Sequence, residues 1–157
     1  MLQLKKMNKE KFKEFSQLSQ TRRKKWFVDS FDVSEEEAAV FAKKDFERIL
    51  VDGFETKDNF TYSLIDKQGR DVGYLWHALR KEGNIQKSFI CDILVKKESR
   101  GQGYGRKALE LLEEEVKGMG LRKIGLHVYA NNSVALGLYK SMGYEVSSYL
   151  MNKIIRS

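Results

Sequence analysis

Three glycines at alternate positions, Gly101, Gly103 and Gly105, sit inside the basic stretch ESRGQGYGRK, Glu98 to Lys107. Glycine weakens a helix, but it admits left-handed backbone and lets a ligand come close to the main chain. Counting excludes two phosphate-binding patterns. A G-x-x-x-x-G-K-[ST] loop begun at Gly101 needs a second glycine where Arg106 stands, and a G-x-G-x-x-G fingerprint meets Arg106 at its third glycine. What remains is a strand-to-helix turn whose bare N–H groups face outward. The start of a helix carries about half a positive charge and attracts a pyrophosphate. Arg100, Arg106 and Lys107 would reinforce such an anion site. A flexible turn with glycine caps is the plainer alternative.

A second group lies downstream at Asn132, Ala135, Tyr139 and Gly143-Tyr144. Asn132 and Tyr139 are about two helical turns apart and so share a face. Taken alone, Asn132 reads equally well as an N-cap, and Tyr139 as core packing. Asp92 is the third point of interest, a carboxylate inside the apolar run FICDILV. Burying it is costly without compensation, so its position calls for a partner or a task. His77 and His127 read first as satisfied structural histidines. Trp76, Trp26, Phe27 and Phe31 either fill a core or line an acceptor pocket, and Cys91 reads as a small buried hydrophobe.

The elements that must position these residues follow from periodicity. LQLKKM is a short first strand, and Asn8 caps a helix carrying Phe12, Phe15 and Leu18. SEEEAAVFAKKDFERILVDG is a second helix, with Ser34 and Glu37 as a capping box and Ala38, Ala42, Phe46, Ile49 and Leu50 as its apolar stripe. FTYSLID, DVGYLWHAL and IQKSFICDILV, separated by KQGR and KEGN turns, predict three antiparallel strands. The glycine stretch then opens a helix carrying Ala108, Leu112, Val116 and Met119 on one face. LRKIGLHVYA is a strand, NNSVALGLYKSMG a short helix and YEVSSYLMNKII a last strand. The order β-α-α-β-β-β-α-β-α-β predicts an α/β (α+β) domain, a mixed and mostly antiparallel sheet flanked by helices.

At 157 residues the chain reads as one domain, 1–157, able to bury its own core. No apolar run approaches the ~18 residues that span a membrane, and the start lacks the apolar core of a signal peptide, so a cytoplasmic protein is expected. One cysteine excludes an internal disulfide, and with two histidines beside it no metal site is expected. Residues 1–25 hold nine basic and two acidic side chains, which accounts for the whole net charge of +7. The excess is densest in RRKKW, Arg22 to Trp26. It reads as a solvated helix face before an anion-attracting rim, and as that before a nucleic-acid patch.

Together, ILVKKESRGQGYGRKALELL and LHVYANNSVALGLYKSMGYEV resemble the GNAT family of N-acetyltransferases, which shares this strand–glycine turn–helix and an N-x-x-A-x-x-x-Y-x-x-x-G-[FY] block. The clear resemblance covers residues 89–146, within a cofactor-binding core of about 85–146. It implies acetyl-CoA as acyl donor and an amine as acceptor, meeting in a ternary complex without a covalent enzyme intermediate. It also implies that backbone amides of Gln102, Gly103, Tyr104, Gly105, Arg106 and Lys107 hold the pyrophosphate, with Arg100 and Gly101 beside them in the cofactor site. Ile93, Leu94 and Val95 would pair with the pantetheine arm, on a strand that a bulge bends away from its neighbour. A backbone N–H near Leu94 or Val95 would stabilise the oxyanion, and Asn132 would bond the cofactor's arm. Tyr139 matches the position of the acid for the departing thiolate. Asp92 matches an acid that takes the amine's proton through water, with a hydrogen-bonded structural role as the alternative.

Two rival readings remain on the same residues. One is a non-catalytic acyl-CoA-binding or sensing module; the other, less favoured, is a nucleic-acid- or ribosome-associated protein using RRKKW. The acceptor is unidentified, and a homodimer is compatible with the sequence.

Overall fold

The three apolar runs between Asn59 and Val95 pair as the alternation predicts, and the other elements of the sheet are laid on them. In the computed structural model the chain runs β1 (Leu2–Lys6), α1 (Lys9–Ser30), α2 (Glu35–Ile49), β2 (Asn59–Asp66), β3 (Asp71–Glu82), β4 (Ile85–Val95), α3 (Tyr104–Gly118), β5 (Ile124–Leu126) and α4 (Ser133–Ser141). Residues Met1–Ser157 are described, in two compact units, Met1–His127 and Val128–Ser157. No helix is long and apolar enough to cross a membrane.

The first unit holds a five-stranded sheet in the order β1-β2-β3-β4-β5. β1 to β4 are antiparallel neighbours, and β5 joins β4 in parallel. β3 and β4 meet at a two-residue turn, Gly83-Asn84, where Gly83 takes φ +65° as tight hairpins require. Side chains alternate across β3. Tyr74 and Trp76 join Met7, Phe15, Phe46 and Leu50 in one core cluster beneath α1 and α2. On the opposite face, His77 reaches Glu115 of α3. Residues 72–78 of β3 are buried without a break, because both faces of the sheet are covered. A fully buried large apolar side chain such as Leu75 or Leu64 contributes about 1.5–3 kcal/mol.

The α3 face carries a polar seam. His77 is fully buried, and its ring nitrogens lie 2.9 Å from Ser88 Oγ and 2.7 Å from Glu115 Oε2. Tyr62 donates to the other Glu115 oxygen at 2.5 Å. The His77 ring stacks on Phe60 and, at greater distance, Tyr62. This is the structural histidine expected from its strand position. Burial alone would raise the Glu115 carboxyl, but the bonds from His77 and Tyr62 outweigh it and hold the group below the ordinary carboxylate range.

Helix ends follow local chemistry. Asn8 accepts from the Lys11 N–H at 2.8 Å, and Ser34 with Glu37 closes the expected capping box. The stripe on α1 differs from expectation. Leu18 is 41% exposed, and the buried positions after Phe15 are Ser19 and Arg23. The fifth strand is shorter than LRKIGLHVYA, covering only Ile124–Leu126.

In the second unit, taken by itself, α4 is the regular element. The expected last strand over 144–155 is not among the elements, since within this unit there is no neighbouring strand whose N–H and C=O groups could complete a ladder.

Two measurements test this packing. A Cβ built on Gly73 would lie 2.0 Å from the Leu94 carbonyl oxygen, backbone that cannot swing aside. Gly73→Ala should therefore cost about 1–3 kcal/mol, as overpacking does, and thermal denaturation reads it as a clear drop in Tm. The lowered Glu115 value means its contribution is complete above the unfolded carboxylate pKa of about 4.3 and is lost as pH falls through the lower folded value. Urea titrations from pH 7 to pH 3 should show that acid-side loss in the wild type and a smaller one in Glu115→Gln.

Candidate active site

The strand after the meander is broken at one residue. Trp76 pairs with Asp92 and His77 with Ile90, so Cys91 is an extra residue without a cross-strand partner, a β-bulge. The β5 ladder covers Ser88–Ile90 of β4 and ends at the bulge. Past it, Asp92–Val95 keeps β3 on one edge only. Burial pushes the Cys91 thiol up to about 11, so the thiol stays protonated and is not a nucleophile at neutral pH.

Asp92 follows the bulge with its side chain wholly out of solvent. Arg22 donates to Oδ1 at 2.5 Å, and Ser19 and Tyr74 each donate to Oδ2 at 2.7 Å. A carboxylate has about four acceptor positions, and three are filled, one by a cation. Burial, then the adjacent Asp92 charge, pushes the Tyr74 phenol above its ordinary range, so it remains a donor. Asp92 thus occupies the structural alternative offered for it. It is neither in contact with solvent nor free of a counter-charge.

Two of these partners, and Arg23 next to them, lie outside the hydrophobic pattern of α1. Ser19, Arg22 and Arg23 continue the inward face of α1 that Phe12 and Phe15 begin. Arg22 also reaches Ile93 O at 3.4 Å and lies over the rings of Trp26 and Tyr74. Arg23, 8% exposed, bonds Asp45 and the Cys91 carbonyl and stacks over Trp76 at 5.1 Å. RRKKW is therefore split by helical rotation: its arginines face the sheet, while Lys24 and Lys25 pair outward with Glu35 and Asp29. Trp76 is fully buried in the core and lines no acceptor pocket. Phe27 packs against Phe31 and Phe41, of which Phe31 is 41% and Phe41 46% exposed.

Beyond Val95 a short 3-10 turn, Lys97–Ser99, leads into the glycine stretch. Arg100 folds back and donates from Nε to the Val95 carbonyl at 3.0 Å. Gly101 and Gly103 take φ +76° and +80°, and a Cβ built on either meets nothing within 4 Å. They are needed for left-handed backbone, not for packing room. Gly103 is the N-cap of α3 and has no side chain to accept from the first turn, whereas α1, α2 and α4 each have a side-chain cap. The first intrahelical bond runs from Lys107 N–H to Gly103 O. The N–H groups before it belong to the first turn of a positive helix end that suits an anion.

In the second unit the downstream block is built largely of helix punctuation. Asn132 caps α4 and accepts from Ala135 N–H at 3.3 Å. At the other end, Gly143 takes φ +93°, its N–H bonds Lys140 O, and Tyr144 N–H bonds Tyr139 O. That pair of bonds is a Schellman motif, and its customary contact is made by the Tyr139 and Tyr144 rings at 5.5 Å. Tyr139 is buried, 8% exposed. The same motif ends α3 at Gly120, so KGMGL and KSMGY are one device used twice.

The chain as a whole is similar to known proteins. The profile of the Acetyltransferase (GNAT) family matches residues 16–144. The uncharacterized N-acetyltransferase YycN of Bacillus subtilis is 35% identical over 118 residues, 75% of this chain and 76% of its own. The crystal structure of YycN superposes with a TM-score of 0.94 at 29% identity, covering 100% of both chains. A second uncharacterized N-acetyltransferase of that organism, YdgE, is 27% identical over 94% of each chain. A solved complex of AAC(6')-Iy with a CoA-linked bisubstrate analogue shares the fold, with a TM-score of 0.64 at 16% identity over 100% of this chain and 99% of its own. With the bulged strand, the glycine-capped helix start and the family profile in agreement, the chain belongs to the GNAT family of acetyltransferases.

Proposed function

We propose that the protein is an acetyl-CoA-dependent N-acetyltransferase that moves an acetyl group to an amine by direct attack in a ternary complex, with residues 1–157 acting as one catalytic domain. The observation that carries this reading is the glycine-capped start of α3 behind Gly101 and Gly103, following a strand whose pairing with its parallel neighbour stops at Ile90. Acetyl-CoA supplies an activated thioester. The amides from Gln102 to Lys107 hold its pyrophosphate, with Arg100, Arg106 and Lys107 adding positive charge. Ile93, Leu94 and Val95 offer backbone groups to the pantetheine arm, and an N–H at Leu94 or Val95 stabilises the oxyanion as it forms. Asn132 bonds the same arm.

Tyr139 donates a hydrogen bond to the leaving sulfur. With phenol near pKa 10 and thiol near 8.5, complete proton transfer is uphill by roughly 2 kcal/mol, so a hydrogen bond that strengthens as charge builds is the more economical role. Asp92, held by Arg22, orders the strand and does not take the amine's proton. An alkylamine of pKa about 10.4 is neutral in roughly one molecule in 2,500 at pH 7, a penalty of about 4.6 kcal/mol. An α-amine near 7.7–8.0 is neutral in about one in ten. A site without its own carboxylate base at this strand favours the second kind.

A thiol-release screen with acetyl-CoA against a panel of α-amines, alkylamines, peptides and aminoglycosides tests the reading. Turnover is expected, highest with α-amines, and kcat/KM should rise with pH through the acceptor's own pKa. Micromolar CoA binding without turnover of any amine would instead support a sensing module, and no CoA binding would overturn both. Tyr139→Phe should lower kcat by about 10–100-fold at unchanged CoA affinity; an unchanged kcat removes Tyr139 from the chemistry.

A further inference from the structure

A bulge frees backbone groups that the ladder would otherwise satisfy, and a strand with one open edge has little to hold its course. Here both needs fall on three successive residues, and consecutive side chains of α1 meet them. Arg23 donates to the Cys91 carbonyl at 3.1 Å, Arg22 to the Asp92 carboxylate at 2.5 Å and to the Ile93 carbonyl at 3.4 Å. Neither guanidinium is free to swing. Arg23 is tied to Asp45 of α2 and lies over the Trp76 ring, and Arg22 lies over the Trp26 and Tyr74 rings. Arg23 Nε is buried without a hydrogen-bond partner. A buried N–H left unpaired is unfavourable, so Arg23 is not placed here by hydrogen bonding to best advantage; its two terminal nitrogens are aimed at Asp45 and the bulge.

We propose that Arg22 and Arg23 are positioning residues that fix the course of β4 through the Cys91 bulge and thereby set the backbone of Ile93–Val95 that receives the acyl donor. The inference rests on the proposed function for its catalytic consequence, but not for the clamp itself. Arg23 is the residue to change, because it touches the bulge carbonyl directly. A methionine there keeps the aliphatic stem and removes both terminal hydrogen bonds. A lysine reaches Asp45 or Cys91 O but cannot bridge them, since it is a single charged point without the planar fork.

Amide hydrogen exchange and CoA titration on Arg23→Met, Arg23→Lys and Phe46→Leu separate positioning from plain stability. In Arg23→Met, exchange at Asp92–Val95 should accelerate by about tenfold or more relative to β2, and CoA should bind about tenfold more weakly. Arg23→Lys should fall between it and the wild type, and millimolar guanidinium ion should recover part of the Arg23→Met loss. Phe46→Leu, a core change on α2, should lower Tm and speed exchange in β2 and β4 alike, leaving their ratio and CoA affinity unchanged. Wild-type protection of Asp92–Val95 in Arg23→Met, or the same change in that ratio in Phe46→Leu, would overturn the proposal. Should Arg23→Met fail to fold, Arg23→Lys carries both readouts. Should the wild type bind no CoA, the functional reading fails, and the exchange comparison still decides the clamp.

Discussion

A carboxylate sealed inside a sheet must be compensated, and the architecture around β4 answers that requirement for Asp92. Its charge is met by Arg22 and its remaining oxygen by Ser19 and Tyr74, so two residues of α1 and one of β3 converge on one group. Such a pair adds little net stability over an apolar replacement, since desolvating two charges offsets most of their attraction. What it supplies is direction. It fixes where α1 crosses the sheet and which face of that helix turns inward, and the bulge and the open strand edge beyond it inherit their placement from that crossing.

The two faces of the sheet divide the work. Beneath α1 and α2, edge-to-face aromatic contacts among Phe15, Tyr74, Trp76 and Phe46 make a dense apolar layer next to the arginines. Beneath α3, the layer is held by Leu109, Leu112 and Val116 together with the Tyr62–Glu115–His77–Ser88 seam. The seam anchors the body of the helix, which leaves its glycine-capped start to be shaped by backbone alone.

Much of this was legible in the sequence because it rests on periodicity and on capping chemistry. The meander, the capping box at Ser34 and Glu37, the Asn8 cap and the glycine turn all follow from local rules. The polar cluster did not, for a physical reason. Ser19, Arg22 and Arg23 occupy inward positions of α1, but a search for apolar repeats passes over polar residues, and RRKKW reads as a uniform basic run until helical rotation separates its members. Asp92 was noticed as costly, yet a carboxylate in an apolar run looks the same whether its compensation is a counter-charge or a reaction. The Asn132 cap is one of two readings open in the sequence; the Schellman roles of Gly143 and Tyr144 emerge only from the bonds they make.

The pairing of adjacent arginines with adjacent strand residues also constrains how long α1 can be. Asn8 fixes where the helix begins, and Arg22 follows it after nearly four turns. Inserting or deleting a single residue between them would rotate both guanidiniums by about 100° and shift them by about 1.5 Å along the axis. An insertion would carry Arg22 into the place of Arg23 and turn Arg23 away, and a deletion would do the reverse, so one of the two holds on β4 would be lost. The outer face of α1 is open to almost any polar substitution, but its length is not open to change: in this helix the count of residues matters more than the identity of most of them.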